Sequence, residues 1–92
     1  MINKERFEQL KNKNAYSAYY INANNICEHV VVYIISDTLE QAKNLVQQVE
    51  IDEYELLQKT VRYMCKFKDL TEEEQELFED KLIYFFEPEC CN

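Results

Sequence analysis

Two rhythms of apolar and polar positions run along this chain. Phe7 and Leu10 share one face of a short helical stretch over residues 3–12, which Asn3 is placed to cap, with Glu5 in its first turn. Residues 11–14, Lys-Asn-Lys-Asn, form a polar break. From Ala15 to Ile35 the chain turns to aromatic and β-branched side chains, with Tyr16, Tyr19 and Tyr20 in the first half and Val30, Val31 and Val32 in the second. Such runs favour strands. The Asn22-Ala23-Asn24-Asn25 segment between them has the length and asparagine content of a hairpin connection. A helical reading competes, because Asn25-x-x-Glu28 has the form of a capping box and Ile26, Val30, Tyr33 and Ile34 have helical spacing. The exit favours the hairpin: Val31 to Ile35, followed by Ser36-Asp37-Thr38, reads as a strand running into a helix cap.

Beyond Asp37 the spacing predicts three helices. Asp37-x-x-Glu40 is a capping box, and Leu39, Ala42, Val46 and Val49 recur at three- and four-residue steps, giving a helix over 38–49. Asp52-x-x-Glu55 opens a second over 53–67, with Tyr54, Leu57, Val61 and Met64 as its stripe. Thr71-x-x-Glu74, with Leu70 as a hydrophobic staple, opens a third over 72–86, striped by Leu77 or Phe78, Lys81 or Leu82, and Phe85, and stopped by Pro88. The short link 67–70 makes the last two antiparallel neighbours. The expected class is α+β: a short N-terminal helix, a β-hairpin, then three helices packed on one another and on one sheet face. An all-α bundle is the alternative. The 92 residues suit one domain, 1–92, with 88–92 a frayed tail.

Composition narrows the function classes. The longest apolar run, Val30 to Ile35, is far short of the ~20 residues a membrane helix needs. The first residues hold no apolar signal region, so the expectation is a cytoplasmic protein with reduced thiols. Lysine outnumbers arginine, and Asn, Ile and Tyr are abundant, a bias in keeping with a low-GC bacterium or its phage. Glycine is absent, which excludes phosphate-cradling glycine loops and leaves Asn or Asp to make left-handed turns. The single histidine, His29, and the two serines, Ser17 and Ser36, offer no nucleophilic triad, so no enzyme and no cofactor is expected. Cys27, His29, Cys65, Cys90 and Cys91 match no zinc spacing, so no metal is expected either.

Charge is the informative feature. The net charge is −8, and all of the excess falls in residues 49–92. Such a surface repels nucleic acid and steers basic partners toward itself. Glu72, Glu73 and Glu74 suit the start of a helix, where its dipole favours carboxylates. Glu53, Glu55, Glu73, Glu76, Glu79 and Asp80, with Tyr84 beside them, are the candidate partner-binding residues. Tyr84, Phe85 and Phe86 are consecutive, so a helix there is either covered on two sides or shows an apolar patch.

The short leading helix Ile2 to Asn14, a glycine-free hairpin and the acidic helices after it resemble, in order and charge, the small acidic anti-CRISPR inhibitors that phages encode. The resemblance implies a phage or mobile-element anti-defence protein in the host cytoplasm that blocks the basic DNA-binding channel of a nuclease; it assigns no site residue. The expectation is a non-catalytic inhibitor that binds a basic protein surface, with no direct contact to nucleic acid or membrane. The alternative is a structural or regulatory interaction protein, a homodimer or adaptor, held by aromatic contacts.

Overall fold

One antiparallel sheet organises the chain. The computed structural model describes residues 1–90. The order is α1 (Lys4–Leu10), β1 (Asn14–Asn22), β2 (Asn25–Ser36), α2 (Leu39–Gln47), β3 (Tyr54–Lys66), a 3-10 turn (Phe67–Asp69), α3 (Glu72–Glu76), β4 (Ile83–Phe85) and β5 (Glu89–Cys90). The strands run β3-β1-β2-β4, and β5 joins the same edge of β2 nearer the hairpin tip.

The alternation of β1 and β2 sorts their side chains. Tyr16, Ala18 and Tyr20 face Ile34, Val32 and Val30 on one side, where α2 lays down Ala42 and Val46. The Tyr20 hydroxyl, buried there, lies 2.9 Å from the Val46 carbonyl and 3.1 Å from that of Val49, at the end of α2. Ala15 and Ile35 point the other way, into a second core built by Leu10 of α1, Phe67, Leu70 and Phe78. Each core is apolar, and burying a large side chain in one contributes roughly 1.5–3 kcal/mol.

The hairpin stands as expected, and so do the leading helix and the helix after Asp37. The expected class does not: a five-stranded sheet with short helices replaces both three packed helices after a hairpin and the all-α bundle. Two elements account for this. The helix expected over 53–67 is instead β3 (Tyr54–Lys66), because β1 lies between β2 and this segment and its buried backbone groups need a partner on both edges. The helix-like spacing of Tyr54, Leu57, Val61 and Met64 comes from irregular pairing. Between Tyr19↔Leu57 and Ser17↔Arg62 the outer strand carries three extra residues, and between Tyr16↔Tyr63 and Ala15↔Cys65 it carries one. The first bulge is held by Thr60, whose hydroxyl accepts from Tyr19 N at 2.9 Å and donates to the Leu57 carbonyl. The second lets Tyr63 meet Tyr16 on the α2 side while Cys65 joins the opposite core.

The second correction concerns 72–86. The Thr71–Glu74 capping box forms as predicted, yet α3 ends at Glu76. A longer helix would set Glu72 against Glu76 and Glu76 against Asp80 at four-residue spacing, where like charges destabilise it. The aromatic run pairs with β2 instead, sending Ile83 and Phe85 to the α2 side and Tyr84 and Phe86 to the other. Glu89 and Cys90, placed in a tail by the sequence, pair with His29 and Glu28. Cys91 and the end of that tail lie outside the described residues.

Candidate protein-binding surface

The helices cover the two faces unequally. On the face opposite α2, the helical layer packs on the end of the sheet that holds Ala15 and Ile35. Toward the hairpin no helix packs on the same face, and its apolar side chains other than Ile26 are half-buried. Tyr19, Ile21, Ile26, His29, Val31, Leu57 and Phe86 belong to neither core. Ile26, near the tip, is 82% exposed. A shallow hollow of about 260 Å³ is lined by Tyr19, Ile21, Ile26, Cys27, His29 and Leu57, and another of about 180 Å³ by Val31, Tyr33, Phe86, Glu87 and Glu89.

Register arranges this half-face in rows. Glu55, Ile21, His29 and Glu89 form one row across β3, β1, β2 and β5. Leu57, Tyr19 and Val31 form the next, and Phe86 N donates to the Val31 carbonyl at 2.9 Å. Directly opposed residues in an antiparallel pair share a face. The apolar strip is therefore closed at its outer edges by carboxylates. Rings brace it: Tyr19 meets His29 edge-on at 5.9 Å, and Tyr33 meets Phe86 at 4.7 Å.

Charge divides by end of the molecule more than by half of the sequence. The hairpin-end segments, 19–31, 49–58 and 86–90, carry seven carboxylates: Glu28, Glu50, Asp52, Glu53, Glu55, Glu87 and Glu89. They hold no lysine or arginine. The helical end, residues 1–13 and 66–81, carries nine carboxylates against seven basic residues, so it is close to balanced.

The predicted binding residues fall into both groups. Glu53 and Glu55 begin β3 at the acidic end, and Glu53 holds a left-handed backbone with φ 71° in the turn that precedes the strand. Its carbonyl accepts from Ala23 N at 2.7 Å, which ties that turn to the hairpin. Glu73, Glu76, Glu79 and Asp80 lie on or after α3, at the other end. Two of these work within the fold: Glu76 accepts from the Met1 nitrogen, and Glu79 accepts from Asn3 N at 2.7 Å. Arg6 clamps the same turn by donating to the carbonyls of Phe78 at 2.9 Å and Lys81 at 3.1 Å. Tyr84 is half-buried between Lys81, 5.7 Å above its ring, and Phe86. Spacing alone could not separate the two groups, since they come together or apart only through the sheet. Apolar residues at period two, Tyr19 and Ile21 on one strand and Val31 with Tyr33 on the next, were the available sign of this strip.

A third hollow, about 430 Å³, opens on the α2 side between the end of α2 and β3. Its floor is Tyr20, Val46 and Leu56 and its rim Glu50, Asp52 and Glu53. Beside it Tyr54 donates its hydroxyl to Glu28, and that bond to a carboxylate pushes the tyrosine above its ordinary value. Among the described residues no group of three His, Cys, Asp or Glu is placed to hold a metal ion. No helix among them is long and apolar enough to cross a membrane. Compared with protein families, with curated proteins and with solved structures, the chain matches none.

Proposed function

We propose that this protein acts by binding, as a non-catalytic inhibitor that occupies a basic, nucleic-acid-binding surface of a partner protein. One observation carries the reading: seven carboxylates and no lysine or arginine gather at the hairpin end. A field of that sign repels nucleic acid and draws in a surface built to bind it. The apolar strip beside it supplies what charge alone lacks, a desolvated contact that slows release. The anti-defence setting implied by the resemblance, and a cytoplasmic location where such a partner would be met, belong to the same proposal. No cofactor enters it.

The test compares the wild type with a Glu50→Gln, Asp52→Asn, Glu55→Gln variant as bait for nuclease and nucleic-acid-binding proteins of a low-GC bacterium. The captured partner should lose its nucleic-acid binding when the wild type is added, and the variant should associate more slowly at low salt. A partner that keeps nucleic acid bound in the ternary mixture would contradict inhibition. A second reading, a homodimer or adaptor held by aromatic contacts, is favoured by the half-buried rings of Tyr19 and Phe86, which belong to neither core. It predicts association that salt does not weaken.

A further inference from the structure

The half-face that no helix covers also has dimensions that select its occupant, a step that rests on the binding role just proposed. Glu55 and Glu89 close one row of four strands, so their backbones lie three strand spacings apart, about 14 Å. An α-helix with its side chains is about 10–12 Å across. From the Tyr19 row to the Asn22–Asn25 pair at the tip, β1 runs on for roughly 10 Å, which is about two helical turns. The face already accepts one helix, since Phe7 and Leu10 of α1 pack on its other end. The open part therefore fits a helix lying along the strands between two carboxylate flanks.

We propose that this half-face seats an amphipathic basic helix of the partner protein. Its apolar side rests on Tyr19, Ile21, Val31 and Leu57. Its Lys or Arg side chains reach Glu55 on one flank and Glu87 and Glu89 on the other. Charge argues against a second copy of this chain as the occupant. Two copies stacked by this face would bring both sets of hairpin-end carboxylates around one interface, with no lysine or arginine in those segments to answer them.

The test uses a fluorescent peptide helix of leucine and lysine about 15 residues long, a length of about four turns, with leucines along one side and lysines on both flanks. A control peptide has the same composition with the two residue types scattered round the helix. Anisotropy titrations compare the wild type with three variants. Ile21→Thr/Val31→Thr keeps β-branched residues in the strands. Ile26→Ser alters only the exposed tip. Glu55→Gln/Glu87→Gln/Glu89→Gln removes the flanks. The patterned peptide should bind the wild type and lose about tenfold or more with the threonine pair and with the flank variant, as expected for lost apolar area and lost charge pairing. Ile26→Ser should weaken it severalfold with the circular dichroism unchanged. If the flank variant weakens binding and neither apolar variant does, the seat is wrong while the acidic binding role survives. If the scattered peptide binds as well, the seat is wrong while the acidic binding role survives; if no variant matters, both readings fall. Sedimentation showing a wild-type dimer that Ile21→Thr/Val31→Thr dissociates would make the occupant a second copy and overturn the proposal.

Discussion

Glu55 and Glu89 stand at opposite ends of one row of side chains, with Ile21 and His29 between them, although 34 positions separate the two glutamates in the chain. The sheet order creates that relationship. β3 is added outside β1 and β5 outside β2, so two late segments bracket the early hairpin. Six carboxylates of the second half of the sequence thus frame the tip of the first half.

The capping box on α3 contributes measurably despite the helix's five residues. Thr71→Ala is expected to cost about 1 kcal/mol in denaturant unfolding. A midpoint indistinguishable from wild type would mean that the 71–79 turn is held by Arg6 and the core alone.

Glu53 does in this chain what a glycine commonly does elsewhere. A non-glycine residue in the left-handed region costs about 1–2 kcal/mol, and glycine's extra freedom in the unfolded chain returns part of that. Glu53→Gly is therefore expected to stabilise by roughly 0.5–1 kcal/mol, and Glu53→Val to destabilise. Chemical denaturation of both variants checks this, and a destabilised glycine variant would contradict it.

The first bulge of β3 depends on a side chain. Thr60 takes the place of a backbone acceptor for Tyr19 N. Thr60→Val leaves that amide without its acceptor and is expected to cost about 1–3 kcal/mol, whereas Thr60→Ser should be close to wild type. Equal stabilities for valine and serine would show that the hydroxyl carries no weight.

Three tyrosines should titrate late. Burial raises Tyr20, burial and then Glu74 raise Tyr33, and the bond to Glu28 followed by burial raises Tyr54, each from an ordinary value of 10.0. A raised folded value means the contribution to stability is complete below pH 10 and is lost as the pH climbs through the folded values. Ultraviolet titration should show part of the tyrosine absorbance change arriving above the ordinary range, with stability falling over the same span. Seven tyrosines titrating together near their ordinary value in a folded protein would contradict it.

The local signals were legible wherever one element settled its own structure. Asn3, Thr71 and Glu74 cap as their positions suggest, and the asparagine-rich segment 22–25 turns the hairpin. The α2 cap moved by one residue, to Thr38, while Gln41 returns a bond to Asp37 N. The signals failed where a partner decided. β3 is a strand because β1 needs an outer neighbour, and its bulges erase the alternation that would have announced it. The candidate acids fall in two separate places, which spacing did not reveal: Glu55 lies at the edge of the half-face, whereas Glu76 and Glu79 bind the chain's own leading segment. The aromatic run 84–86 poses a burial problem only as a helix; as a strand it serves both faces.

The central claim is that binding occurs on the hairpin end of the face opposite α2. The most direct measurement is a map of backbone amide shifts as the patterned leucine–lysine peptide is added. Binding on the hairpin strip should concentrate the changes at Tyr19, Ile21, Ile26, His29, Val31 and Leu57, with Glu73 to Asp80 unmoved. Changes centred on Glu73 to Asp80, with the hairpin strip unmoved, would contradict it.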